Sequence, residues 1–296
     1  MTVKLGTNPI AWSNDDLESL GGETPLETCL REARAAGFVG IEMGNKFPRD
    51  AATLGALLKD FDLSLVSGWY SSHLLTRDAE AEIEALAPHM ALLKEMGCDQ
   101  LIFAETSNAI HGRQEIPLSQ SPSIGAAEME TFARRVTEVA EHVRAAGLQL
   151  AYHHHAGTVV ETGPEIEAFM AAAGEAVGLL LDTGHAVLAG TDPIALALRY
   201  GPRITHVHCK DLRADVRDQV RAQNMSFLDA VIAGIFTVPG DGCIDFAAVL
   251  DALGEPKYQG WLVVEAEQDP KKANPGIYAA MGHQNLARFA AEAGLA

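Results

Sequence analysis

The chain has 296 residues, of which 48% are hydrophobic, so it is long enough to bury a sizeable core. It carries 40 acidic against 22 basic residues and a formal net charge of −18 at pH 7. This balance disfavours nucleic acids and anionic membranes as partners, because phosphate contacts need clustered lysines and arginines.

Cysteine usage and apolar run lengths indicate the compartment. The four cysteines, Cys29, Cys98, Cys209 and Cys243, are widely spaced and have no zinc-ribbon pattern. Such thiols are typical of a reducing cytosol rather than of a disulfide framework. No apolar run approaches the ~20 residues of a membrane span, and the N-terminal segment lacks the apolar stretch of a signal peptide. We therefore expect a cytoplasmic protein without a membrane partner.

Eight short apolar runs recur along the chain, separated by segments with helical periodicity. The predicted strands are 3–7, 39–43, 63–69, 100–105, 148–153, 177–182, 204–209 and 261–266. The first predicted helix has Thr24 as its N-cap and Glu27 in a capping box, and it ends at Gly37. The later predicted helices are 49–59, 78–96, 126–146, 163–173, 192–199, 245–253 and 275–293.

This alternation predicts an α/β protein with one (β/α)8 TIM barrel across residues 1–296. The alternative, a doubly wound open sheet, usually has a glycine-rich phosphate loop after its first strand, and the segment GTNPIAWS (6–13) is no such loop. Two connections, at about 106–127 and 211–242, are too long for plain turns. Both follow strand ends, so we expect them to overhang the active face.

Histidines and carboxylates follow the last four predicted strands. The segments are AYHHHAGT (151–158), LLLDTGH (179–185), ITHVHCK (204–210) and WLVVEAE (261–267). A parallel barrel gathers the carboxyl ends of its strands on one face, where barrel enzymes perform their chemistry. Residues two apart on a strand share a face. The sequence thus predicts one divalent metal ion bound by Asp182, His208 and Glu265, with His153 as the fourth ligand.

Three more residues of these segments, His155, His185 and Lys210, are predicted to lie beside the metal ligands or over the substrate. His154 points to the other face and is predicted to be structural. A single strand histidine is more often a hydrogen-bonded core residue than a ligand. Buried unpaired carboxylates are costly, however, and their recurrence with imidazoles on four strands favours the metal site.

Four motifs resemble those of the xylose-isomerase-like barrels, the sugar phosphate isomerase/epimerase superfamily. They are DTGH (182–185), HVHCKD (206–211), VVEAE (263–267) and PGDGCIDF (239–246). More narrowly, NPIAWSNDD (8–16), GNKFPR (44–49) and HHHAGT (153–158) are similar to segments of the inosose dehydratase family. The resemblance covers nearly the whole chain.

The resemblance implies a metal site with one departure from the superfamily pattern. Superfamily members usually bind metal through Glu, Asp, His and Glu, and His153 stands where the first glutamate is expected. Epimerases of this kind use two carboxylates, of which only Glu265 remains, so elimination is favoured over epimerisation. Two nitrogen ligands favour Mn²⁺ or Co²⁺, with Fe²⁺, Zn²⁺ or Mg²⁺ as alternatives. No nicotinamide or flavin is implied.

The implied reaction removes water from 2-keto-myo-inositol (scyllo-inosose), a keto-polyol, to give a trihydroxycyclohexane dione in myo-inositol breakdown. Lys210, Glu265 and His155 are the candidate bases for the proton next to the ketone. Lys210 would serve if its pKa were lowered by burial beside a cation. His155 and His185 are the candidate acids for the departing hydroxyl.

Polar and aromatic residues after several strands are predicted to bind the substrate hydroxyls or ring. They are Glu42, Asn45, Lys46, Trp69, His73, Glu105, Asn108, Arg217 and Glu267.

Other functions stay open at this point. The nearest is a sugar isomerase or epimerase on the same barrel, of the ketose 3-epimerase or hydroxypyruvate isomerase type. A multi-zinc endonuclease for abasic DNA is opposed by the net charge of −18. A catalytically inactive barrel that only binds a ligand is the third alternative, and a homo-oligomer is compatible with all of them.

Overall fold

The computed structural model describes residues 3–255 and 257–296, within which eight parallel strands close into a barrel. In chain order the strands are β1 (Lys4–Thr7), β2 (Gly40–Met43), β3 (Ser64–Ser72), β4 (Gln100–Glu105), β5 (Gln149–His153), β6 (Val177–Asp182), β7 (Ile204–Cys209), β8 (Asp211–Leu212), β9 (Phe236–Thr237) and β10 (Trp261–Val264). Strands β1 to β7 pair in sequence, and β10 lies between β7 and β1 to close the barrel, whereas β8 and β9 form a separate antiparallel pair. The barrel confirms the predicted fold.

The eight predicted strands are all present, with shifts at their ends. Strand β3 continues to Ser72 because it pairs with β4 as far as Glu105. Strand β10 ends at Val264, where its pairing with β1 and β7 also ends. Glu265 and Glu267 therefore follow the strand rather than belong to it.

The helices are α1 (Leu26–Ala36), α2 (Ala51–Asp60), α3 (Ala79–Glu95), α4 (Ala126–Ala145), α5 (Gly163–Ala172), α6 (Thr183–Leu188), α7 (Pro193–Tyr200), α8 (Ala214–Gln223), α9 (Phe227–Ala233), α10 (Phe246–Gly254) and α11 (Pro275–Glu292). The predicted N-cap of α1 was wrong: Pro25 takes the N-cap position and makes no side-chain hydrogen bond, so Thr24 lies outside the helix. Gly37 ends α1 as predicted, with φ 110°. Within the two described ranges, no helix has both the length and the apolarity needed to cross a membrane.

Side chains fill the interior of the barrel. Val66, Trp261 and Val263 form one buried cluster there. A Cβ on Gly40 would come within 2.5 Å of the Trp261 indole, so the absence of a side chain at this position leaves space for the ring. This close packing on the strands fixes the directions in which their carboxyl ends point.

The two long connections cover the carboxyl face and touch each other. The connection after β4 contains one 3₁₀ turn, Leu118–Gln120. The one after β7 is more structured than predicted, because it contains β8, α8, α9 and β9 around its own apolar cluster. An isolated bridge joins Pro117 to Ser226, and Leu118 N donates to Met225 O at 3.0 Å.

Candidate active site

The four residues predicted to bind metal meet on the carboxyl face. His153 ends β5, Asp182 ends β6, His208 lies on β7 and Glu265 follows β10. One possible ligand atom from each lies within 4.8 Å of the others, and all four residues are buried. Asp182 Oδ2 is 3.8 Å from His153 Nε2 and 3.6 Å from His208 Nδ1. We call this group the four-residue cluster.

Unpartnered atoms in the four-residue cluster fit a bound cation. Asp182 Oδ2, His208 Nδ1 and Glu265 Oε2 are buried and form no hydrogen bond in the described chain, although His208 Nδ1 and Glu265 Oε2 are in direct contact. Leaving such atoms unsatisfied in a buried site is costly, and a cation among them would satisfy all three. Mixed imidazole and carboxylate donors suit first-row divalent metals. The donor set therefore fits a divalent metal ion.

Hydrogen bonds orient both histidines of the four-residue cluster. His153 Nδ1 lies 2.6 Å from the carbonyl oxygen of His154. A carbonyl only accepts, so Nδ1 carries the proton and Nε2 presents its lone pair toward Asp182. His208 Nε2 lies 3.1 Å from the Glu42 carboxylate, which leaves Nδ1 for a cation. Metal-binding histidines usually donate their second N–H in this way.

Glu42 links the two histidines of β7 to the cavity wall. Its carboxylate contacts His206 Nε2 at 2.8 Å as well as His208, and it accepts from Asn8 Nδ2 at 2.7 Å. Burial opposes ionisation of Glu42, but the two imidazoles outweigh it and hold the pKa of Glu42 below its usual value. Glu42 thus orients His208, and its predicted contact with a substrate hydroxyl stays a prediction.

Lys210 lies between the four-residue cluster and a second group of polar side chains. Its Nζ is 2.7 Å from Glu267 Oε1, 3.1 Å from His185 Nε2 and 3.4 Å from Glu265 Oε1. Burial favours the neutral amine, yet Glu265, Glu267 and Asp182 raise the pKa of Lys210. The role of Lys210 as a base requires a cation beside it to lower this pKa, and it stays a prediction.

His155 faces the cavity with its ring 3.8 Å, between centroids, from that of His185. Its Nδ1 is 2.8 Å from the Ala156 carbonyl oxygen, so the proton lies on Nδ1 and the lone pair on Nε2. Burial, together with His111 and Lys210, lowers the pKa of His155. His155 is thus a neutral imidazole with a free acceptor atom.

A cavity of about 290 Å³ opens beside these groups. Of the residues predicted for the site, those in its wall are Glu42, Asn45, Trp69, His155, His208, Glu265 and Glu267. The prediction missed several polar residues of the wall: Asn8, Asp15, Asp16, Arg49, Ser71 and His111. Asn8 directly follows β1, so the rule that located the other strand ends would have found it. His111 lies well inside a long connection, where strand periodicity gives no signal.

Other predicted substrate-binding residues lie outside the cavity wall: Lys46, His73, Glu105, Asn108 and Arg217. The Lys46 ammonium donates to three carbonyls of the segment 21–24. Glu105 accepts from the Ser72 hydroxyl and from two backbone N–H groups. Arg217 pairs with Asp218 on α8, and Asn108 is exposed. Lys46, Glu105 and Arg217 are thus engaged in contacts within the protein.

The fold and the buried His–Asp–Glu group define a TIM barrel with its site on the carboxyl face. The chain belongs to the xylose isomerase-like TIM barrel family, which matches residues 30–285. It is 50% identical to the rhizopine catabolism protein MocC of Rhizobium meliloti, over 99% of this chain and 90% of that one. It is 44% identical to an inosose dehydratase of Geobacillus thermodenitrificans over 96% of both chains, and 42% identical to that of Clostridium tetani over 98% of both.

Solved structures share the fold at lower identity. An L-ribulose 3-epimerase superposes with a TM-score of 0.68 at 20% identity, over 99% of this chain and 96% of that one. The IOLI protein with a bound zinc atom superposes with a TM-score of 0.63 at 18% identity, over 98% of both chains. These likenesses support the barrel architecture.

Proposed function

We propose that this protein is an inosose dehydratase, which removes water from 2-keto-myo-inositol to give a trihydroxycyclohexane-1,2-dione. One observation carries the proposal: a cavity adjoins both a buried cation site and a separate set of groups able to transfer protons. Relatives named inosose dehydratase, 42–44% identical over nearly the full length, support it.

The proposed cofactor is one divalent metal, Mn²⁺ or Co²⁺, held by His153, Asp182, His208 and Glu265. When bound, it supplies Lewis-acid polarisation of the substrate carbonyl. Glu42 and the His154 carbonyl keep the two imidazoles in the tautomers that binding requires.

His155 is the proposed base. It lines the cavity, and its Nδ1–H is held by the Ala156 carbonyl, so Nε2 is free to accept a proton. A base must come within hydrogen-bond reach of the proton that it removes, and His155 meets that condition for a ligand in this cavity. Removal of the proton next to the ketone leaves an electron pair to expel the neighbouring β-hydroxyl.

The departing hydroxyl needs a proton to leave as water. Glu267 lines the cavity and accepts from Lys210, which also contacts His185. We place Glu267, Lys210 and His185 on the side of the leaving hydroxyl, and Glu267 delivers the proton to it. The base then returns its proton to solvent, and Glu267 takes up a proton from solvent, so that both groups regain their starting states. One water leaves, and the enol product tautomerises to the dione. Neither step oxidises or reduces the substrate.

A second candidate substrate is a related keto-polyol from rhizopine breakdown. The 50% identity to a protein named for rhizopine catabolism favours it. Epimerisation of a ketose is less favoured, because His153 replaces the carboxylate that this chemistry would use.

A proton NMR time course tests the proposed function. Purified protein is incubated with scyllo-inosose in Mn²⁺, in Co²⁺ and in a chelator. We expect metal-dependent loss of substrate with elimination of one water to give the dione. A ketone that persists in all three samples, while a panel of ketoses is epimerised, would overturn the dehydratase assignment.

A further inference from the structure

His111 is a histidine in the cavity wall that neither the metal site nor the proposed proton transfers use. It lies in the long connection after β4, seven residues before the Leu118–Gln120 turn. Its ring centroid is 4.8 Å from that of His155 and 6.3 Å from that of Trp69. On another side, Phe227 packs edge-on at 6.4 Å. Aromatic rings thus hold the imidazole in one place.

The backbone around His111 is tied to the connection that carries His155. Ile110 N donates to Gly157 O at 2.8 Å. Gly157 has φ 80°, and a Cβ there would come within 3.0 Å of His111 N. The close approach of these two backbones fixes His111 relative to His155. Its position is therefore determined by the fold and not by a flexible loop.

The imidazole of His111 has unused hydrogen-bonding capacity. Its Nδ1 is buried and has no hydrogen-bond partner within the described ranges. Burial lowers the pKa of His111, which favours the neutral ring with one donor and one acceptor. A hydroxyl can likewise both donate and accept a hydrogen bond, so a polyol is a matching ligand.

We propose that His111 is a substrate-binding residue, which hydrogen-bonds a ring hydroxyl of the polyol and so determines which polyols the site accepts. This assignment rests on the proposed function and adds to it a contact outside the four-residue cluster. Loss of a buried hydrogen-bond partner leaves the other group unsatisfied, so a polyol that lacks the matching hydroxyl is rejected.

The first test compares two substitutions at this position. His111→Phe keeps a ring against Trp69, His155 and Phe227 but removes both polar atoms, whereas His111→Gln keeps a donor and an acceptor. We expect His111→Phe to lower kcat/KM for scyllo-inosose about tenfold or more, mainly through KM, and His111→Gln to retain most of it. His142→Phe, the same change on the exposed end of α4, is the matched control.

A hydroxyl-deletion series identifies the contact. Substrate analogues that each lack one hydroxyl are compared on both enzymes. We expect one missing hydroxyl to lower kcat/KM of the wild type but not that of His111→Phe. If His111→Phe retains the wild-type kcat/KM, or if every deletion weakens both enzymes equally, the assignment of His111 is overturned.

Calorimetric binding of scyllo-inositol, a polyol without the ketone, separates the two proposals. If the wild type does not dehydrate scyllo-inosose but His111→Phe binds scyllo-inositol about tenfold more weakly, the proposed function fails and His111 stands. If the wild type dehydrates scyllo-inosose and both proteins bind scyllo-inositol equally, His111 fails alone. Absence of polyol binding by the wild type also overturns the assignment.

Discussion

At the scale of single residues, the two oxygens of Asp182 have different partners. Oδ1 accepts the His185 N–H at 2.8 Å and caps α6, whereas Oδ2 points into the four-residue cluster without a hydrogen-bond partner among the described residues. The helix cap needs only an acceptor, but a metal needs the negative charge. A substitution can therefore separate the structural role from the proposed ligand role.

Asp182→Asn makes that separation. Asparagine still caps α6 through its amide oxygen, so we expect the melting temperature of the metal-free protein to stay nearly unchanged. Metal affinity should fall about a hundredfold or more, since even outer partners of a ligand contribute about 10–100-fold. Turnover of scyllo-inosose should be lost with it. Calorimetric metal titration and the NMR assay measure both effects, and full activity in this variant would show that the metal site is wrongly assigned.

Glu42→Gln tests whether the carboxylate positions His208. Glutamine keeps the volume but loses the charge that holds the His206 and His208 imidazoles. We expect metal affinity to fall about 10–100-fold, the usual effect of losing such a partner. Calorimetry with Mn²⁺ is the measurement, and Glu84→Gln on the exposed face of α3 is the control. Equal affinities in the two variants would exclude this role for Glu42.

The positions of some site residues could be predicted from the sequence, and those of others could not. Period-two alternation placed His153 and His208 on the inner face, because strand geometry is local. Lys46 was predicted to bind substrate from its place after β2, and alternation could not show that its ammonium donates to the carbonyls of Gly22 and Thr24 across the fold. Alternation also could not find His111, whose place depends on a backbone contact with Gly157. Contacts between distant segments leave no periodic signal.

At the scale of elements, the start of α6 determines the space that Lys210 occupies. A Cβ on Gly184 would come within 2.6 Å of Lys210 Cγ, although the glycine is in an ordinary helical position. The helix that Asp182 caps therefore also forms the surface on which the lysine stem lies. The strand pattern predicted β6 and β7 but no helix over 183–188.

Gly184→Ala should displace Lys210 from Glu267. Because misplacement of a catalytic group by about 1 Å reduces rates by roughly a hundredfold, we expect a fall in kcat of that order. Metal affinity should change much less, since the three atoms nearest to the new methyl group all belong to Lys210. Steady-state kinetics and calorimetry measure the two effects. Gly55→Ala in α2, where the nearest atom is 3.9 Å away, is the control; an unaltered kcat in Gly184→Ala would contradict the proposal.

At the scale of the whole molecule, the four-residue cluster joins elements far apart in the chain. Its residues come from the carboxyl-terminal parts of three strands and from the segment after β10. An ion that binds the folded protein and not the unfolded chain stabilises the fold by mass action. The proposed metal should therefore stabilise the barrel as well as support catalysis.

Metal removal tests this expectation. With free Mn²⁺ at a hundred times its Kd, the stabilisation is about 2.7 kcal/mol. For a domain of 296 residues this corresponds to a rise in Tm of roughly 4–5 °C. Thermal melts with Mn²⁺ and with a chelator should show this difference in the wild type and little of it in Asp182→Asn. An equal difference in both proteins would locate the stabilising ion elsewhere.

The bridge between Pro117 and Ser226 has a consequence for how such proteins diverge. The two connections that it joins rest on each other, while the four-residue cluster rests on the strands. Where the two connections meet, a mutation in one is therefore best compensated by a mutation in the other. In a set of homologous sequences, we expect the segments 106–125 and 211–242 to covary with each other. New substrate preferences would then arise by paired substitutions in these two segments.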